Sequence, residues 1–342
     1  MTITAGLDVG GAHLKVALVE DGRAIAAEQF RCRLWMGLEK LDTAFGKAAP
    51  MLARAERFAV TMTGELSDVF PDRATGVETL VRLTAERLGP ATQYWMALAG
   101  FGPPDEAARR PADVGSTNFL ASAKLVAAHH PDALLIDFGS TTTDIIPIRA
   151  GRPAPRGLTD AERQTTGELV YTGFTRTSVA MVAARAPFRG QWVTLAREHL
   201  ATMADVRRML GTLPQSVDLH ATADGKGKSA EESRVRLARL LGRDAAETIA
   251  SDWKEPAQFI CSEQMHSISD GASLVLSAAG LPDGAPVVAA GIGASEVAAI
   301  PALRSRTVIT FGTMIGAAPN LDFAATAYAP AVSVALLAEK NA

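Results

Sequence analysis

Residues 134–148 read Leu134-Leu135-Ile136-Asp137-Phe138-Gly139-Ser140-Thr141-Thr142-Thr143-Asp144-Ile145-Ile146-Pro147-Ile148. An apolar strand ends on an aspartate. A turn of glycine and hydroxyl residues follows, and a second apolar strand begins on another aspartate. The chain opens on the same design. Ile3 to Val9 is apolar and carries Asp8, Gly10-Gly11 breaks it, and Leu14 to Val19 is apolar again. Asp21-Gly22 is a two-residue hairpin signal before a third strand, Arg23 to Phe30. The likeness of Leu7-Asp8-Val9-Gly10-Gly11 to Ile136-Asp137-Phe138-Gly139-Ser140 is an internal repeat at domain scale.

Two copies predict two similar α/β domains, residues 1–130 and 131–342. In the first, helical patterns cover Leu38 to Arg54 and Glu78 to Leu88, and strand-like runs cover Phe58 to Met62 and Gln93 to Leu98. In the second, Leu169 to Ala279 reads as mostly helical, with a helical insertion at about 185–265. Ser229-Ala230-Glu231-Glu232 is a capping box. Asp224 to Lys228 is a polar loop, and Gln264 to Ala279 is a helix that stops at Gly280. Pro286 to Ala290 is a strand followed by the turn Gly291-Ile292-Gly293-Ala294-Ser295. Thr307 to Phe311 is another, closed by Gly312-Thr313. The apolar tail Ala324 to Ala338 reads as a strand or helix packed on the body. Trp35, Trp95 and Trp192 read as core, with Trp35 beside Arg31 and Arg33 at the border of a ring-binding pocket as the other reading.

Of 342 residues, 48% are hydrophobic and 21% charged, and the formal net charge is −3. That composition excludes a mainly disordered chain. It also provides no global basic field for nucleic acid or an anionic membrane, so neither is an expected partner. Cys32 and Cys261 stand far apart and make no zinc or disulfide pattern, which fits a reducing cytoplasm. No signal peptide and no apolar run of about 18 residues is present, so the expected location is cytoplasmic.

A strand ending in Asp and then glycines suits a phosphate. Backbone N–H groups converge on its oxygens where glycine permits close approach. An aspartate so placed can hold Mg²⁺, usually through water. The candidate phosphate residues are Gly10, Gly11 and His13 in the first loop, and Gly139, Ser140, Thr141 and Thr142 in the second. Gly291, Gly293, Gly312 and Thr313 follow later strands. Asp8 and Asp137 are the candidate metal ligands. Lys15 alternates with Leu14 and Val16 and so points away from them, toward a cleft or solvent.

These loops resemble the two phosphate loops and the adenosine loop of the actin, sugar-kinase and Hsp70 superfamily. In it, two similar domains face each other across a phosphate-binding cleft. More closely, the chain resembles the hydantoinase/oxoprolinase-related branch linked to tetrahydromethanopterin-dependent one-carbon metabolism. The resemblance rests on Thr61-Met62-Thr63-Gly64-Glu65-Leu66-Ser67-Asp68, Ile136 to Asp144, and Gly167 to Gly173 with Arg176-Thr177. It continues through Asp218-Leu219, Thr222 to Gly225 and Arg236 to Arg239.

That resemblance implies a transferase of methanofuran-type cofactor synthesis. It would join (5-(aminomethyl)furan-3-yl)methyl diphosphate to the phenol of γ-glutamyltyramine or a tyrosine analogue and release diphosphate. Mg²⁺ is the implied cofactor, ATP is not expected to be required, and a homo-oligomer is compatible. A phenol of pKa about 10 needs a base at neutral pH. Asp8, Asp144, Glu65 and Glu168 are the candidates, Lys15 adds a catalytic cation, and Arg176 suits diphosphate or a glutamyl carboxylate. Glu168 equally suits a helix cap. The competing reading is an ATP-dependent kinase or a hydantoinase/oxoprolinase-type amide hydrolase.

Overall fold

The computed structural model describes residues 2–341. Fourteen strands carry the labels used below. They are β1 (Thr4–Gly10), β2 (His13–Glu20), β3 (Arg23–Arg31), β4 (Arg57–Thr63), β5 (Gln93–Trp95), β6 (Phe101–Gly102) and β7 (Ala133–Phe138). Then come β8 (Thr143–Arg149), β9 (Arg152–Pro153), β10 (Leu169–Val170), β11 (Arg185–Phe188), β12 (Gln191–Thr194), β13 (Val287–Ala290) and β14 (Val308–Thr310).

One sheet has the order β3-β2-β1-β4-β5-β6. A second runs β10-β8-β7-β13-β14, with β9 also on β8, and β11 and β12 form a small sheet of their own. The path β9-β8-β7-β13-β14 repeats β3-β2-β1-β4-β5. In both, an antiparallel trio is followed by two parallel strands. The chain therefore has the expected two-domain actin, sugar-kinase and Hsp70-like fold. The repeat reaches single residues. Asp8 pairs with Lys15 across the first hairpin, and Asp137 pairs with Asp144 across the second.

Local chemistry explains the first trio. Asp21 and Gly22 both take positive φ, 50° and 73°, as a two-residue turn matched to strand twist requires. β1 is buried on both faces. Ala5, Leu7 and Val9 pack with Leu41, Phe45, Val77 and Leu80 from helices Glu39–Leu52 and Arg73–Leu88. On the other side Gly6 receives helix Ala329–Lys340: a Cβ there would lie 2.0 Å from the Ala331 carbonyl oxygen. The apolar tail is this helix, with Pro330 tolerated in its first turn. It packs on the first sheet, although it follows the second in sequence. A cut at residue 130 thus does not separate two packing units. A shared core joins the domains, drawing on helices Asn118–His129 and Ala329–Lys340 and on Leu135, Ile146 and Val288.

Residues 169–279 are less helical than expected. They contain β10, the hairpin β11–β12, and helices Met203–Leu210, Ala230–Leu240 and Lys254–Ala279. The insertion has its own core around Val206, Leu237, Trp253 and Ile260. Ser229 and Glu232 form the expected capping box. Helix Lys254–Ala279 starts ahead of Gln264 and carries Pro256 in its first turn, where the missing N–H costs nothing. Trp95 is buried, but Trp192 is 54% exposed on the outer hairpin, beneath the Arg185 guanidinium. Among the described residues, no helix is long and apolar enough to cross a membrane.

Candidate active site between two aspartate hairpins

The ends of the two central hairpins face one cleft of about 200 Å³. Gly10, Gly11, His13 and Lys15 line it from the first domain, and Asp137, Gly139, Ser140, Thr141, Thr142 and Asp144 from the second. Gly10 and Gly11 have no positive φ. Close approach is what they provide: a Cβ on Gly10 would lie 2.9 Å from the His13 carbonyl oxygen, and one on Gly11 2.7 Å from Ser67 Oγ. The segment Thr172–Arg176 braces the second loop from behind. Phe174 N–H donates to the Gly139 carbonyl and Arg176 N–H to that of Ser140, both at 2.9 Å. A Cβ on Gly173 would lie 2.3 Å from Thr141 N.

Lys15 Nζ donates to Asp8 Oδ2 at 2.8 Å. Burial favours the neutral amine, but the Asp8 and Asp137 charges overcome it and the Lys15 pKa is raised. Asp8 is fully buried and its Oδ1 has no partner. Asp137 is pushed up to about 7 by burial and by the Asp144 charge, against the pull of Lys15. Asp144 is ion-paired with Arg163. The Arg163 guanidinium is buried and stacks 3.6 Å from the Phe119 ring centroid. Ser116 and Asn118 bring the N-terminal end of helix Asn118–His129 to the cleft, a favourable place for an anion.

Other candidates lie elsewhere. Glu168 does not line the cleft and caps no following helix. Its oxygens accept from Arg156 N–H at 2.6 Å, Gly157 N–H at 3.0 Å and Thr166 Oγ1 at 2.9 Å, so it staples a loop. Glu65 lies behind the wall. It accepts from Ser116 Oγ at 2.5 Å, and burial pushes its pKa up to about 7. Gly291 and Gly293 pack under β7: Cβ atoms there would lie 2.4 Å from Asp137 Oδ1 and 2.5 Å from the Phe138 ring. Gly312 is wedged against Asp322, and Thr313 Oγ1 donates to it at 2.9 Å. These four support the second hairpin and a turn rather than offering donors to the cleft. His13 lines the cleft as a neutral imidazole, its pKa lowered by burial and by His220. Arg176 donates to Thr141 Oγ1 at 2.9 Å and opens onto a neighbouring cavity.

Arg163, Asp160 and Ser116 escaped sequence reasoning. Arg163 and Asp160 sit on helix Asp160–Thr166, whose capping box Thr159–Glu162 was the available signal. Nothing local marks Ser116 beyond its place next to a glycine, where its φ is 54°.

A family model described as hydantoinase/oxoprolinase matches residues 56–313. The chain belongs to the hydantoinase/oxoprolinase family. Among relatives within reach of this family member is the (4-{4-[2-(gamma-L-glutamylamino)ethyl]phenoxymethyl}furan-2-yl)methanamine synthase of Methanocaldococcus jannaschii. It is 31% identical over 240 residues, covering 70% of this chain and 71% of the relative. A Methanococcus vannielii protein of the same name is 31% identical over 121 residues, 35% of this chain and 54% of that relative. A nucleotide-free acetone carboxylase structure aligns with 96% of this chain and 70% of its own at a TM-score of 0.55 and 10% identity, a likeness of fold.

Proposed function

We propose that this hydantoinase/oxoprolinase family member is an ether-forming transferase of methanofuran-type cofactor synthesis. It joins (5-(aminomethyl)furan-3-yl)methyl diphosphate to the phenol of a γ-glutamyl tyramine or tyrosine and releases diphosphate. The observation that carries this reading is the cleft itself. Two cations held by carboxylates, Lys15 on Asp8 and Arg163 on Asp144, meet there with two glycine loops and a helix N-terminus. The relatives' printed name, a phenoxymethyl furan, supports the bond that is made.

In the proposed step the phenol oxygen bonds to the furylmethyl carbon. The bond from that carbon to diphosphate breaks, and the leaving group takes the electron pair. Lys15, Arg163 and the helix end oppose the charge growing on diphosphate, the kind of preorganised stabilisation that lowers barriers most. Asp137, with a pKa near the working pH, takes the phenol proton. The donor set also fits Mg²⁺. Asp8 does not itself line the cleft, but its Oδ1 is buried and unpartnered, and Mg²⁺ binds through one or two carboxylates plus substrate phosphates. Among the described residues no three His, Cys, Asp or Glu side chains form a cage, so diphosphate and water would complete the shell. When bound, the ion would neutralise diphosphate charge.

The test is direct. Protein, furylmethyl diphosphate, Mg²⁺ and a γ-glutamyl phenol are mixed without ATP, and the products are followed by mass spectrometry. An ether and free diphosphate are expected. Turnover that appears only with ATP would replace this reading with a kinase or amide hydrolase. With Asp137 as base, kcat/KM rises with pH through about 7, and Asp137→Asn lowers kcat roughly 100-fold or more and removes that limb. An unchanged pH profile in the variant would take the base role away from Asp137.

A further inference from the structure

Beside the cleft lies a second cavity of about 240 Å³, whose walls include Arg31, Arg33, Arg176, Trp35 and His220. Its basic character follows from strand periodicity. Arg31 and Arg33 alternate with buried Cys32 and Leu34, so the two guanidiniums share the opposite face. The backbone continues the β3 pairing there, with Cys32 N–H donating to Ala12 O and Leu34 N–H to Gly11 O, both at 2.9 Å. Trp35 then turns under Arg176, whose guanidinium carbon lies 5.2 Å from its ring centroid.

Among the described residues none of Arg31, Arg33 and Arg176 is in an ion pair. The carboxylate nearby, Asp218, is already engaged by Arg208 through two bonds of 2.7 Å and by Lys228 at 3.1 Å. Arg31 Nε and His220 Nε2 are buried without partners. A buried guanidinium N–H or imidazole nitrogen left unpartnered is costly unless a ligand meets it. The cavity also adjoins the reaction cleft. The His13 ring, in the cleft, lies 4.5 Å from the His220 ring, in the cavity. Arg176 reaches from the cavity to Thr141 of the cleft.

We propose that this cavity is a subsite for the anionic tail of the acceptor, and that the tail carries at least two carboxylates. The proposal rests on the transferase reading above for the identity of the phenol. Three unpaired guanidiniums disfavour a tail whose single carboxylate is balanced by an ammonium. They favour one with an excess of carboxylates, which guanidinium forks bind in bidentate fashion. The diphosphate stays in the glycine-lined cleft, so one anion-binding region selects the donor and the other the acceptor.

The experiment has a binding arm and a turnover arm. Calorimetry measures tyramine, γ-glutamyltyramine, γ-glutamyltyrosine and inorganic diphosphate with Mg²⁺ on the wild type, Arg31→Gln and Arg33→Gln. Steady-state turnover uses the same acceptors. Affinity is expected to rise with the number of carboxylates. Each Gln variant should weaken γ-glutamyltyrosine roughly 10- to 100-fold, mainly in KM, and leave tyramine and diphosphate unchanged. Arg33→Lys should recover part of the loss, which a misfolded protein would not. Equal losses for all acceptors, or a loss of diphosphate binding instead, would overturn the subsite. Arginine-dependent binding of the dicarboxylate without any ether would keep the subsite and sink the transferase reading.

Discussion

Glu65 sits where water does not reach, 1% exposed, with Ser116 Oγ at one oxygen and no partner at the other. Burial raises its pKa to about 7, so the folded protein binds this proton more tightly than the unfolded chain. The stabilisation is full below an unfolded pKa of about 4.3 and is lost as pH rises toward 7. Glu65→Gln keeps an acceptor for Ser116 and removes the titration. The variant should therefore melt above the wild type at pH 8, by an amount corresponding to roughly 3 kcal/mol, and the gap should close at pH 4.5. Thermal melts at both pH values decide it, and a gap independent of pH would refute the titration. At this scale Asp137 is the contrasting case: its raised pKa faces the cleft, where a proton has somewhere useful to go.

Strand β1 shows how one element is held from both sides. Its Gly6 leaves room for helix Ala329–Lys340, and Gly22 N–H in the adjoining turn donates to Glu339 Oε2 at 2.7 Å at the end of that helix. Gly6→Ala should destabilise by about 1–3 kcal/mol through overpacking, read as a lower urea midpoint. Gly46, exposed on helix Glu39–Leu52 with nothing within 4 Å of a Cβ, is the control. Gly46→Ala should stabilise by about 0.5–1 kcal/mol. Equal effects at the two glycines would mean that the helix does not seat on β1.

The duplicated sheets place equivalent hairpin ends around one cleft, and the duplication is broken where charge matters. Lys15 occupies the register position that Asp144 holds in the second copy. A symmetric pair of acidic hairpins would repel an anion, whereas Lys15 and the Arg163 brought to Asp144 make room for one. A ligand that binds the native state raises stability by RT ln(1 + [L]/Kd), about 2.7 kcal/mol at a hundredfold excess over Kd. Mg²⁺ with inorganic diphosphate should raise the melting temperature, and Asp8→Asn or Lys15→Met should abolish the rise. A rise with Mg²⁺–ATP alone would favour the kinase or hydrolase reading.

The paired Asp-Gly hairpins, the Asp21-Gly22 turn and the Ser229 capping box are written in neighbouring residues, because alternation, positive φ and capping are local effects. Sequence by itself therefore determined the two-domain fold and about half of the residues that line the cleft. Tertiary structure decided which glycines serve it. Gly291 and Gly312 look like Gly10 in sequence, yet they make room for Asp137 and for Asp322, contacts that involve residues distant in the chain. It also decided that Glu168 staples a loop, that Arg163 reaches Asp144, and that Arg31 and Arg33 meet Arg176. Those groupings depend on packing between segments far apart in sequence, and no local pattern records which distant segment will arrive.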